Sequence, residues 1–394
     1  MTQLTPSRPA TTASGASPHP RLTDFARSPF IVIWEVTRAC ALACVHCRAD
    51  AIPRRDPREL TTREGMALID QVRTFAEPPP LFVLTGGDPM RRSDLLELVE
   101  HAAGAGLTVA LTPSGTAAAT RSRLADLRGA GLSRLAVSLD GPDAGTHDRF
   151  RGVRGSYDWT MKIIEAATEL GIPLQINSTV GRLTYPHLPA MAERMRELPI
   201  ALWAVFFLIA TGRGSALEQI TAQECESVLH FLRDLAPTVP FAIKTTEAPH
   251  YHRVLRQRLQ TEAQAPGAHR GTATHDHALM SAPAQARATR SVTDGNGFVF
   301  IDHVGQICPS GFLPVVCGTV RQDSLVSIYR EHPLFVRLRN PDALEGKCGG
   351  CEFRSVCGGS RARAYIATGS PLGADPLCVY EPSGHDWGGT SARA

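Results

Sequence analysis

Residues 31–47 read Ile31-Val-Ile-Trp-Glu-Val-Thr37-Arg-Ala-Cys40-Ala-Leu-Ala-Cys44-Val-His-Cys47. The run 31–37 is apolar and rich in β-branched and aromatic residues, the composition of a buried strand. Three cysteines follow with the spacing C-x3-C-x2-C. They therefore stand in a loop at the strand's C-terminal end, where parallel α/β folds place their chemistry. Three thiolates can ligate three irons of a 4Fe–4S cubane and leave the fourth iron open. The competing reading is a structural zinc loop. Such a loop usually has two C-x2-C pairs, and here the fourth ligand is missing.

Outward from this loop, strand-like and helix-like segments alternate. A helix at 61–76 opens with Thr61 and Glu64 at capping-box spacing. A short buried strand follows at 81–85, and Ser93 can cap the next helix. Further strands are expected at 107–112, 134–139, 173–180 and 201–209. Helical patterns fall at 119–129, 156–170 and 185–198, and from Thr221, again with Glu224 at capping-box spacing. These six strand–helix units predict a parallel sheet with crossover helices. Periodicity leaves open whether the sheet stays flat or curls into a partial barrel. Residues 241–260 read as one more strand and helix. Residues 261–290 are rich in Ala, Thr, Pro, Gln and His and read as an insertion or linker, with His269, His275 and His277 as solvated loop residues. Residues 295–304 read as a hairpin.

The chain has 394 residues, more than one ordinary core needs. Its 43% hydrophobic and 20% charged residues suit a soluble globular protein. The net charge of +3 comes with no basic block, so nucleic acid is not indicated. No apolar run reaches the ~18 residues of a membrane span. The first 21 residues lack an apolar signal core, so a cytoplasmic protein with a disordered tail is expected. Ten cysteines in a reducing compartment are not a disulfide framework by default. Nine of them cluster, at 40, 44 and 47 and at 308, 317, 348, 351, 357 and 378, which points to metal; Cys225 stands alone and reads as a core residue.

With Cys40, Cys44 and Cys47 on the first strand's loop, the sequence resembles the radical S-adenosylmethionine (SAM) superfamily. Gly86-Gly87-Asp88-Pro89 follows the second strand, where that family has a Gly-Gly-Glu-Pro motif holding the methionine amino group; here Asp stands at the acidic position. Ser138 and Asp140 end the fourth strand and Asn177 the fifth, where the family places polar contacts to SAM. Residues 147–152, His-Asp-Arg-Phe-Arg-Gly, resemble the segment whose Arg pairs with the SAM carboxylate, which makes Arg151 the candidate. His46 sits where many members have an aromatic residue near adenine. The resemblance implies that the open iron takes the amino and carboxylate groups of methionine. It also implies reductive cleavage of SAM to a 5′-deoxyadenosyl radical that abstracts hydrogen from substrate, with flavodoxin or ferredoxin as reductant.

The second cysteine set is Cys348-Gly-Gly-Cys351-x5-Cys357 with Cys378 downstream. Four thiolates can close a 4Fe–4S shell, and they can equally close a zinc site. Beside a radical SAM core, the pattern resembles a SPASM or twitch domain with auxiliary iron–sulfur clusters. It departs from that pattern at Arg361, where a further cysteine is expected after Cys357. One auxiliary 4Fe–4S cluster is therefore implied, on Cys348, Cys351, Cys357 and Cys378. Cys308 and Cys317 resemble the family's upstream pair but lack enough partners. Residues 357–365 and Thr211-Gly-Arg-Gly look most like the branch that alters tetrapyrrole side chains in heme-type cofactor synthesis. A related branch matures ribosomally made peptides. A non-catalytic metal-binding scaffold is the alternative of another class.

The expected fold is α/β: a partial (β/α)6 barrel of the radical SAM type with a small Cys-rich C-terminal auxiliary-cluster domain. Boundaries are expected at 1–28 (tail), 29–236 (radical SAM core), 237–290 (connecting segment with insertion), 291–385 (iron–sulfur domain) and 386–394 (tail). Tail and insertion lack apolar periodicity and are expected to be dispensable for the fold.

Overall fold

The structure is a computed structural model that describes residues 24–264 and 291–383. Most of the expected N-terminal tail and insertion, with His269, His275 and His277, and the last residues of the chain lie outside the described residues.

Seven parallel strands build the scaffold: β1 (Ile31–Glu35), β2 (Leu81–Thr85), β3 (Val109–Leu111), β4 (Leu132–Ser138), β5 (Leu174–Val180), β6 (Leu202–Phe207) and β7 (Ala242–Thr246). Helices α1 (Thr62–Arg73), α2 (Leu95–Gly104), α3 (Arg121–Gly129), α4 (Ala144–Arg151), α5 (Ser156–Glu169), α6 (Leu188–Glu197) and α7 (Ala222–Leu235) fill the crossovers, and α8 (His250–Gln264) follows β7. Residues 241–260 thus form the extra strand and helix that the pattern predicts. Both capping boxes form as expected, Thr61 with Glu64 and Thr221 with Glu224. Ser93 does not cap α2. Asp94 holds that position, and its carboxylate is drawn away to Arg92 at 2.8 Å and Thr62 at 2.8 Å.

Period-2 alternation divides the sheet into two faces. Val32 and Trp34 of β1, Leu135 and Val137 of β4, Ile176 of β5, and Trp203 and Val205 of β6 join one helix-side core. The opposite face carries Ile33, Glu35, Ser138, Asn177, Ala204 and Lys244, and the helices leave it uncovered. Gly65 lets α1 approach closely: a Cβ there would stand 2.6 Å from the ring of the buried Trp34.

The C-terminal part does not fold apart from this sheet. β8 (Phe298–Ile301) pairs in parallel with β1, and β9 (Gln306–Cys308) and β10 (Gly318–Thr319) add antiparallel strands, for ten in the order β10-β9-β8-β1-β2-β3-β4-β5-β6-β7. The expected hairpin at 295–304 is therefore the β8–β9 hairpin, continuous with the core.

Residues 24–28, which the sequence assigns to the tail, are partly packed. The Phe25 ring lies against Gly297, where a Cβ would meet it at 2.9 Å, and Tyr329 donates its hydroxyl to the Phe25 carbonyl at 2.7 Å. Phe25→Ala should lower stability by about 3 kcal/mol, read as a lower denaturant midpoint at unchanged slope. An unchanged midpoint would return Phe25 to the tail.

Candidate active site

The loop after β1 carries Cys40, Cys44 and Cys47, and the three sulfurs share a small apolar cluster with Leu42, Ala51 and Val153. Backbone contacts fix its shape. The Cys40 N–H bonds to Ile52 O at 2.8 Å, and the Leu42 N–H points at Cys40 Sγ at 3.3 Å. Arg213 clamps the loop from outside: its Nε donates to Cys44 O and its Nη1 to Ala51 O, each at 3.0 Å. In the sequence Arg213 stands out only within the run Thr211-Gly-Arg-Gly, and nothing local signals this clamp. Burial pushes the Cys40 thiol up.

Gly86 and Gly87 lie against this loop. A Cβ on Gly86 would stand 2.4 Å from Thr37 O, and one on Gly87 2.5 Å from Arg38 O. The Gly87 and Asp88 N–H groups bond to Thr37 O at 2.8 Å and Ala39 O at 2.7 Å. The two glycines are thus required for the turn to dock on the cysteine loop. The Asp88 side chain does not reach outward. Fully buried, it accepts from Thr116 at 2.8 Å, Met90 N at 3.2 Å and Ser114 N at 3.4 Å. Asp therefore serves the turn itself, with Pro89 starting a 3-10 turn behind it.

Of the expected SAM-contacting residues, Asp140 and Arg151 join Gly86, Gly87 and Asp88 beside the cysteine loop. Ser138 and Asn177 are in register on β4 and β5, and Asn177 Oδ1 accepts from Gln175 at 2.6 Å. Asp140 and Arg151 form a buried ion pair at 2.8 Å, and Arg151 Nη1 reaches Cys44 Sγ at 3.6 Å. Burial pushes the Asp140 carboxyl up, but the Arg151 guanidinium beside it outweighs this and holds it low. His46 stacks on Phe150 at 4.2 Å, and burial pulls its pKa down to about 4, so it is neutral. The arginine thus touches both the cysteine loop and the strand that carries Ser138. Arg151→Ala should weaken SAM binding at least tenfold, the equivalent of about 1.5–3 kcal/mol for a charged hydrogen bond. Calorimetry on anaerobically reconstituted protein reads this, and an unchanged dissociation constant removes Arg151 from the site.

The second cysteine set also converges. Cys351, Cys357 and Cys378 each lie within electrostatic reach of Cys348, and Cys357 within reach of Cys378. Each sulfur has a backbone N–H nearby: Asp375 N to Cys348 at 3.5 Å, Phe353 N to Cys351 at 3.4 Å, Gly359 for Cys357 and Tyr380 for Cys378. Burial pushes the Cys357 thiol up, and that of Cys378 up to about 11. Cys348 is buried and the other three are half-buried, and thiols each met by an N–H donor suit thiolates bound to a cluster. Gly359, at φ +67°, is required: a Cβ there would stand 2.8 Å from Asp375 Cβ and 3.2 Å from Cys348 Sγ. Among the described residues no three His, Cys, Asp or Glu side chains close on one point as for a single metal ion. A cubane asks for something else, because each ligand meets its own iron at a separate corner.

Arg361 and Ser360 occupy the place of the expected further cysteine. Arg361 is buried, donates to Pro371 O at 3.1 Å and Gly373 O at 2.8 Å, and reaches Cys348 Sγ at 3.7 Å. Ser360 caps the helix Arg361–Thr368 and donates to Glu247. Its hydroxyl is occupied and offers no ligand. Cys308 and Cys317 lie elsewhere, on and beside the β9–β10 pair. Burial pushes Cys308 up to about 12, and its charged neighbours are Asp302, Cys317, Arg48 and Glu35, none of the downstream set. Cys225 is a buried residue of α7, as read.

This arrangement of a glycine-docked three-cysteine loop above a parallel sheet defines a radical SAM enzyme. The radical SAM superfamily model matches residues 34–195. An AdoMet-dependent heme synthase of Oleidesulfovibrio alaskensis is 42% identical over 94% of this chain and 92% of its own, and one of Methanosarcina barkeri is 37% identical over 90% and 97%. The chain belongs to the radical SAM superfamily. In fold it resembles Streptococcus suis SuiB bound to precursor peptide SuiA, with TM-score 0.62 at 16% identity over 90% of this chain and 76% of that one. It is an enzyme that uses a 4Fe–4S cluster and SAM.

Proposed function

We propose that the chain oxidatively modifies a side chain of a tetrapyrrole in heme-type cofactor synthesis. The observation that carries this reading is the 42% identity over nearly the whole chain to a heme synthase. The peptide-bound neighbour shares the fold at 16% identity, so peptide maturation stands second. Cys40, Cys44 and Cys47 hold the SAM cluster. Cys348, Cys351, Cys357 and Cys378 hold one auxiliary cluster, which their ring of N–H donors supports. When bound, the first cluster supplies the electron that cleaves SAM to methionine and a 5′-deoxyadenosyl radical, and the second a place for the electron left on substrate. The chain's own residues position and exclude. Arg151 and Asp140 fix the wall beside Cys44, Gly86 to Pro89 present backbone carbonyls to the methionine amine, and Ser138 and Asn177 face the bound nucleoside. Flavodoxin or ferredoxin is the reductant, and the cytoplasm suits ten unpaired thiols. Among the described residues no helix is long and apolar enough to cross a membrane.

Anaerobic incubation with SAM, dithionite and an iron porphyrin bearing four propionates tests this. Deoxyadenosine should form together with a mass change on the porphyrin. Deoxyadenosine formed with unaltered porphyrin, and modification of a peptide instead, would overturn the tetrapyrrole reading.

A further inference from the structure

Two cations stand on the inner face of the sheet without a counter-ion among the described residues. Lys244 lies on β7 and Arg134 on β4. Alternation sets both inward, because Ile243 and Leu135 beside them pack on the helix-side core. Neither side chain makes a hydrogen bond or ion pair with any described residue, and the charge that acts on Lys244 is that of Arg134. Burial, reinforced by that cation, pulls the Lys244 pKa down to about 8. Both residues are half-buried, and two like charges held on one face are unfavourable until an anion joins them.

Lys244 is in register with Ala204, Ala204 with Asn177, and Asn177 with Ser138. One row of the sheet therefore runs from the lysine to the residues assigned to SAM, with an alanine methyl between them, and Arg134 stands four residues before Ser138 on β4. No acidic residue contributes to the environment of Lys244.

We propose that Lys244 and Arg134 form an anion subsite that takes a carboxylate of the substrate, so that one acidic side chain of the macrocycle lies along that face of the sheet, beside SAM. This rests on the tetrapyrrole reading above and adds to it the residues that select an acidic side chain. Lysine supplies a mobile point charge and arginine a planar fork, and together they suit one carboxylate.

The test uses the full-length chain, anaerobically reconstituted, with iron coproporphyrin III and its tetramethyl ester as probes in one detergent-containing buffer. Calorimetry compares wild type, Lys244→Met and Arg134→Met. Each variant should bind the free acid roughly tenfold to a hundredfold more weakly. Affinity for the ester, which carries no carboxylate, should be unchanged, and so should affinity for SAM. Unaltered affinity for the acid overturns the subsite. So does an equal loss for acid and ester, which would report a change of shape, and so does a loss confined to SAM. Wild-type protein that binds neither porphyrin overturns the tetrapyrrole reading and the subsite together, whereas tight wild-type binding that the variants keep overturns the subsite alone.

Discussion

A chain with Cys40, Cys44 and Cys47 all changed to Ala forms no 5′-deoxyadenosine from SAM under anaerobic reduction, and it keeps iron on its C-terminal cysteines. The loss is complete because the three changes remove every thiol of the loop. The fold should survive. The three sulfurs sit in a small cluster of their own, outside the main core, and the loop is held by Arg213, Ile52 and the Gly86–Gly87 turn rather than by the thiols. Deoxyadenosine is measured by chromatography and residual iron by a colorimetric assay. Continued reductive cleavage of SAM would show that the cluster is bound elsewhere.

Anaerobically reconstituted protein should contain about eight irons and eight sulfides per chain, four for each cubane. Changing Cys348 and Cys357 to Ala should lower this to about four. The structure explains the count. Arg361 fills the place of a further thiolate and, as a permanent cation with no lone pair, cannot ligate iron. Its guanidinium instead braces Gly373 and Pro371 and reaches Cys348. Cys308 sits beside Arg48, Glu35 and Cys317, away from the downstream set. Mössbauer spectra with about twelve irons in cubanes would make Cys308 and Cys317 ligands after all. About four irons with one zinc would make the downstream site a zinc site.

Local signals were legible in the sequence. Both capping boxes, the cysteine loop and the alternation of β1 to β7 follow from short-range chemistry and appear where expected. The residues around Arg151 were legible by resemblance, but their partners were not: that Arg151 meets Asp140 and Cys44 is a tertiary fact. Helix α4 escaped because it is short and mostly polar, although Asp143, which bonds to Thr146 N at 2.8 Å, is the cap that could have revealed it. The pairing of β8 with β1 has no local signature, so the hairpin at 295–304 read as part of a separate unit. Lys244 and Arg134 escaped for the same reason. Their facing depends on strand register across four strands, which no single segment encodes.

That pairing bears on how the protein is made. β1 lies near the start of the chain, and β8, which covers its free edge, is synthesised near the end. Until then the ribosome holds a nascent chain whose first strand, Ile-Val-Ile-Trp-Glu, offers an unpaired apolar edge, the kind of template on which chains aggregate. Closing so distant a contact raises the contact order and slows folding. The cysteine loop hangs from that same strand, so iron delivery before release would meet an unfinished scaffold. A fragment ending at residue 264, although it contains the whole three-cysteine motif, should therefore be recovered mainly from inclusion bodies. The C-terminal segment is as much the closing strand of the core as the carrier of the second cysteine set.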